Sequence, residues 1–226
     1  MFHVEKLFVQ ENFFLEMKKK VVFENICSGR IAAILVQCDE DHRVPIMRST
    51  TIYHHPVQTS PFAWIASQNM ILKPCNNIMA EIYTDVYKTM KYHSDQATDL
   101  ADGSFICIFS CYKTPHLPHS RVLKTKNKTT MEETEIVLEH GSMILFSAET
   151  NREYLHKIIL QNANGNEWLG LTMRCSKTFV HPFSLELWET AEQKRELFRL
   201  RALENQNIET NVFNATLSPS DLLPPI

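Results

Sequence analysis

Ser104-Phe-Ile-Cys-Ile-Phe-Ser-Cys-Tyr112 decides the fold. The run is apolar almost throughout and rich in Phe and Ile. It has no polar face, so it reads as a strand buried on both sides. Strands recur downstream of it: Glu135 to Leu138, Gly141 to Phe146 behind a glycine turn, Tyr154 to Leu160, and Trp168 to Cys175. Asn162 to Asn166 is the hairpin turn between the last two. Upstream, Val21 to Cys38 alternates loosely and holds strands. Thr50 to Tyr53 is another, ended by His54-His55-Pro56, a pair whose side chains face opposite ways in an extended chain. Pro74 to Tyr83 is a turn leading into a helix or strand. Residues 113–133 are polar, basic and Pro-bearing, and read as a long loop or hairpin tip. Residues 1–25, with Phe13, Phe14, Leu15 and Met17, read as a short amphipathic helix on the edge of a core. The fold class is mainly β with flanking helices. Many short strands around one core suggest a double-sheet jelly roll, a cupin-like double-stranded β-helix.

The 226 residues suffice for one sizeable core. One domain is expected over 1–183. A C-terminal helix and extended tail over 184–226, capped at Ser184 and striped with Leu187, Trp188, Ala191, Leu197, Phe198 and Leu200, would pack on it. Net charge is −3, which argues against a broad electrostatic grip on duplex nucleic acid. None of the six cysteines forms a CxxC pair, and no run approaches the length of a membrane span. These features fit free thiols in a reducing compartment, hence an intracellular protein of cytoplasm or nucleus, away from membranes.

The chemistry centres on Lys91-Tyr-His-Ser-Asp95. His93 and Asp95 are two apart, so on a strand their side chains share a side. An imidazole and a carboxylate presented together can take adjacent positions on one metal ion. A second histidine would complete the two-histidine, one-carboxylate face of the non-heme iron(II) oxygenases. His156, on a downstream strand, is the candidate. His116, His119, His140 and His181 read as surface residues, and Cys107 and Cys111 as buried hydrophobes.

From about Pro45 to Phe179 the chain resembles the AlkB-like branch of the iron(II)/2-oxoglutarate dioxygenases. That family carries, in order, N-x-Y, H-x-D, a distal His and an R-x5-R strand. Here Glu81-Ile-Tyr83, His93-Ser-Asp95, His156 and Trp168-Leu-Gly-Leu-Thr-Met-Arg174 stand at those positions. The resemblance implies that His93, Asp95 and His156 are the catalytic, iron(II)-binding residues. It also implies that 2-oxoglutarate is the co-substrate, held by Arg174 with Tyr83 as a hydroxyl donor, and that dioxygen is consumed. An arginine fork suits a carboxylate better than lysine does. The reaction would be hydroxylation or, on an N-methyl group, demethylation with release of formaldehyde. Two positions depart from the family pattern. Trp168 replaces the first arginine, the family's main partner of the distal carboxylate, and Glu81 replaces the asparagine. Three outcomes follow from these changes: an altered co-substrate pose, a different co-substrate, or an inactive metal-binding relative serving as a binding module. In a competing alignment Arg174 alone serves the distal carboxylate. The family suggests alkylated nucleic-acid bases as substrate, with Arg121, Lys124, Lys126 and Lys128 as the basic cluster near the metal. A small molecule, amino acid or peptide is the competing class.

Overall fold

The computed structural model describes residues 1–7, 9–40, 44–45, 58–71, 73–95, 100–177 and 179–180. In chain order the elements are β1 (His3–Lys6), α1 (Phe13–Lys20), β2 (Glu24–Cys27), β3 (Arg30–Val36), β4 (Val44–Pro45), α2 (Ser60–Ser67), β5 (Asn77–Tyr83), β6 (Phe105–Tyr112), β7 (Arg121–Asn127), β8 (Glu133–Val137), β9 (Ser142–Ser147), α3 (Ala148–Glu153), β10 (Tyr154–Leu160), β11 (Trp168–Arg174) and β12 (Phe179–Val180). One sheet has the order β1-β9-β6-β11-β5-β3-β2 and another β10-β7-β8, and β4 pairs with β12. The pairings between these described strands are antiparallel. The protein is mainly β, with its sheets in a sandwich-like arrangement.

β6 lies inside the large sheet, between β9 and β11. Its Cys107, Phe109 and Cys111 join the core beneath the helices, where Phe13, Phe14 and Met17 of α1 meet Phe62 and Ile65 of α2. Its Ile106, Ile108 and Tyr112 face the other way, into a core shared with Leu123 of β7 and Ile158 of β10. This is why the run carries no polar alternation: both of its faces are covered.

Four elements depart from the sequence expectation. The N-terminal stretch opens with a strand, β1, whose exposed residues give no apolar pattern and which is held by pairing to β9. The helix of this region is confined to α1. Helices α2 and α3 were not foreseen. The stretch read as a long loop or hairpin tip over 113–133 holds the tip between β7 and β8, but also β7 itself, a strand with Arg121, Val122, Leu123 and Thr125 buried. Its lysines disguised it. Lys124 and Lys126 stand directly opposite Glu135 and Glu133 of β8, so their charges are matched across the ladder. His119 and His140, expected at the surface, are half-buried and structural. His140 Nδ1 accepts from the Tyr112 N–H, and His119 Nε2 accepts from the His140 N–H. The strand expected at 50–53, the His54-His55 pair, His181 and the helix and tail at 184–226 lie outside the described residues. No described helix is long and apolar enough to cross a membrane.

Candidate metal centre

His93 and His156 are a directly opposed antiparallel pair. The His93 N–H donates to the His156 carbonyl at 3.0 Å, and the His156 N–H donates back at 2.7 Å. Opposed residues in such a pair project their side chains to the same side of the ladder. The two rings therefore meet with centroids 4.5 Å apart. The segment before Asp95 acts as an added strand on β10, since the Met90 N–H also reaches the Ile158 carbonyl and the Leu160 N–H the Lys88 carbonyl.

Both imidazole Nε2 atoms face one carboxylate oxygen. His93 Nε2 and His156 Nε2 each lie 3.6 Å from Asp95 Oδ1. One ligand atom from each of the three residues lies within 4.8 Å of the others, so the triad could hold a metal ion. Two imidazole nitrogens and one carboxylate oxygen suit a divalent transition metal. His93 Nδ1 lies 3.0 Å from the Lys91 carbonyl. As the donor of that bond it leaves the Nε2 lone pair for a metal, the usual arrangement for a ligating histidine. Phe146 of β9 packs edge-on against the His156 ring at 5.5 Å.

Two further side chains fix Asp95. Asn151 of α3 pairs with its backbone in both directions: the Asp95 N–H donates to Asn151 Oδ1 at 2.8 Å, and Asn151 Nδ2 donates to the Asp95 carbonyl at 2.7 Å. Arg174 Nη2 donates to Asp95 Oδ2 at 2.5 Å. One carboxylate oxygen thus faces the histidines while the other faces the arginine. Burial alone would raise the Asp95 pKa, but the Arg174 charge and the two facing imidazoles outweigh it and hold it well below the usual carboxylate range. For His93, burial works to lower the pKa and Asp95 more than reverses that, so the net shift is upward. The His156 side chain is 5% exposed and that of His93 43%, so the site opens to solvent on the His93 side.

The triad lines a cavity of about 250 Å³. Met79, Met90, Ile108 and Ile158 supply apolar wall, and Arg30, Glu81, Lys91 and Arg174 supply charge. The volume is below the ~300 Å³ at which pockets for drug-sized ligands begin. Glu81, which stands where the family pattern has asparagine, is paired within the cavity. Glu81 Oε1 accepts from Arg30 Nε at 2.8 Å and lies 2.5 Å from Arg30 Nη2.

Tyr83 and Trp168 do not line the cavity. They pack on each other with ring centroids 4.9 Å apart, and each is almost wholly buried. Trp168 Nε1 donates to Ser110 Oγ at 2.6 Å, and its indole lies over Gly170. The Tyr83 hydroxyl is buried near the Glu81 carboxylate. Burial, and then the Glu81 charge, push its pKa well above the ordinary value.

Sequence reasoning missed Arg30 and Asn151. Arg30 did leave a trace, as the single charge heading an otherwise apolar strand, Arg30-Ile-Ala-Ala-Ile-Leu-Val36. Asn151 left none, because its role is to bond a backbone that is distant in the chain. No protein-family model matches the chain, and no curated protein matches its sequence.

Proposed function

We propose that the protein is an iron(II)/2-oxoglutarate-dependent dioxygenase built on a jelly roll. It would hydroxylate a C–H bond or remove an N-methyl group by way of that hydroxylation. The observation that carries this reading is the convergence of His93 Nε2 and His156 Nε2 on one oxygen of Asp95, at the wall of a cavity holding two arginines. His93, Asp95 and His156 would hold the iron. When bound, the metal supplies the coupling of dioxygen reduction to oxidative decarboxylation of 2-oxoglutarate, which yields succinate and carbon dioxide.

The chain's own residues do the rest. Arg174 keeps Asp95 ionised and aimed, and Asn151 fixes its backbone. The cavity lining has three cationic side chains, Arg30, Lys91 and Arg174, against two carboxylates, Glu81 and Asp95, so it is suited to an anion. Met79, Met90, Ile108 and Ile158 limit water around the reacting end. The partly exposed His93 side is where a substrate would approach. A small molecule, amino acid or peptide side chain is favoured over nucleic acid, because the lysines expected to grip phosphate are committed within the protein: Lys124 and Lys126 to glutamates, and Lys128 to the Arg152 carbonyl.

The test is aerobic incubation with iron(II), ascorbate and 2-oxoglutarate, measuring succinate. The expected result is succinate formation that disappears in His156→Ala and Asp95→Asn. If the protein binds iron(II) and no succinate forms, with or without candidate substrates, the inactive-relative reading replaces this one.

A further inference from the structure

A five-carbon diacid that chelates a metal through its 2-oxo acid end carries a second carboxylate into the cavity. A buried carboxylate needs a cation and hydrogen bonds. At position 168, where the resemblance expects an arginine, Trp168 is packed over Gly170 and bonded to Ser110. Resting on the dioxygenase reading, we infer that Arg30 of β3 receives the distal carboxylate of the co-substrate, with Glu81 as the counter-ion that holds its guanidinium in place.

The register gives the first argument. Arg30 stands opposite Tyr83, which in turn stands opposite Trp168. It therefore lies in the same row across the sheet as the position it replaces, two strands away. Its guanidinium does not stay in that row. It bonds to Glu81, two residues back along β5 toward the Asn77–Arg174 pair. At ~3.3 Å per residue that is a lean of roughly 6–7 Å toward the triad end of the sheet. The side chain thus enters the cavity instead of lying beside Trp168.

The second argument is preorganisation. Gly29, with φ of +80°, turns the β2–β3 hairpin so closely against the following loop that a Cβ there would lie 2.6 Å from the Tyr87 nitrogen. That contact brings Tyr87 under Arg30, whose guanidinium carbon lies 5.7 Å from the Tyr87 ring and 6.0 Å from the Tyr83 ring. Tyrosine faces and a carboxylate fix a planar cation in one orientation. A guanidinium has five N–H donors, and the two nitrogens on Glu81 share a single oxygen, Oε1. That geometry suits a cation that bridges a resident carboxylate and a visiting one.

The third argument is division of labour. Arg174 is engaged with Asp95 and belongs to the metal end. Lys91 is an exposed residue at the mouth, and its ammonium offers a point charge without a fork. Among the described residues lining the cavity, Arg30 is left as the partly buried arginine not tied to a metal ligand.

The experiment compares two 2-oxo acids on the Mn(II)-loaded protein by calorimetry. One is 2-oxoglutarate and the other 2-oxopentanoate, which has a methyl group in place of the distal carboxylate. Wild type is expected to prefer 2-oxoglutarate by about 10- to 100-fold, the range for charge-assisted hydrogen bonds. In the double variant Arg30→Gln/Glu81→Gln, which leaves no lone buried charge, that preference should fall below about threefold while Mn(II) affinity is kept. Arg30→Lys decides the matter if the double variant does not load Mn(II), and should lose most of the preference. A preference kept at its wild-type value in the deciding variant overturns the inference and leaves the dioxygenase reading standing. If neither acid binds wild type loaded with Mn(II), both fall together.

Discussion

At the scale of single residues, the candidate centre depends on how Asp95 is held. Its backbone is bonded on both sides by the Asn151 amide, and one carboxylate oxygen is bonded by Arg174. Asn151→Ala leaves all three ligands in place and removes only the clamp. Metal affinity should fall by about 10-fold, the lower end for loss of an outer-shell partner, as titration with Co(II) followed by its visible absorption would report. Asp95 also ties stability to pH. Its folded-state pKa lies below the ordinary value of 3.8, so the folded protein binds fewer protons there than the unfolded chain. Its contribution is complete above the unfolded value and is lost as pH falls through the folded one. The metal-free protein should therefore lose stability steeply below about pH 4. Asp95→Asn should flatten that limb in acid denaturation followed by circular dichroism. An unchanged acid limb would mean that Arg174 does not hold the carboxylate ionised.

At the scale of elements, the triad depends on a turn that a buried arginine supports. Arg121 opens β7, is 1% exposed, and donates to the Tyr87 carbonyl at 2.6 Å and the Thr84 carbonyl at 2.7 Å. These carbonyls belong to the link between β5 and the segment carrying His93. Arg121→Met would strip both of their partners, at a cost of about 2–4 kcal/mol measured by urea unfolding. In β11, a methyl group added at Gly170 would lie 2.1 Å from the Trp168 ring. Gly170→Ala should cost about 1–3 kcal/mol, and much less in a Trp168→Leu background, because the clash is with that ring. These two strands also show where the sequence was readable. β6 and β11 were legible because long apolar runs have few alternatives. The order of His93, Asp95 and His156 along the chain was legible too, and the opposed pairing supplies the geometry that order alone lacks. β7 was not legible as a strand, because Lys124 and Lys126 look like a solvated loop until Glu133 and Glu135 are set opposite them. Arg30 was hidden for a related reason. Its role depends on which strand lies beside β5, and strand adjacency is a long-range property.

At the scale of the whole molecule, the question is which partners the surface allows. The candidate site draws Glu81, Ile108 and Arg174 from the large sheet and His156 and Ile158 from β10, and β7 and β8 continue the sheet that β10 begins. If that hairpin gripped nucleic acid, Lys124, Lys126 and Lys128 would have to release Glu135, Glu133 and the Arg152 carbonyl. Lys124 and Lys126, freed for a phosphate, would each uncover a glutamate in a chain that is already at net −3. Counterion release makes binding fall with salt by about 0.9 log units per phosphate contact for each log unit of salt. With its lysines paired this way, the protein should show a slope below about 2 on a short duplex or single strand, by fluorescence anisotropy between 50 and 200 mM salt. Lys124→Ala and Lys126→Ala should leave that slope unchanged. A slope of about 5 or more would mean that a basic surface elsewhere in the chain contacts phosphate, and it would return alkylated bases to the front of the substrate list. If that steep slope were also reduced by the two lysine substitutions, the cross-strand pairs would have to open on binding, and the hairpin would be the nucleic-acid contact after all.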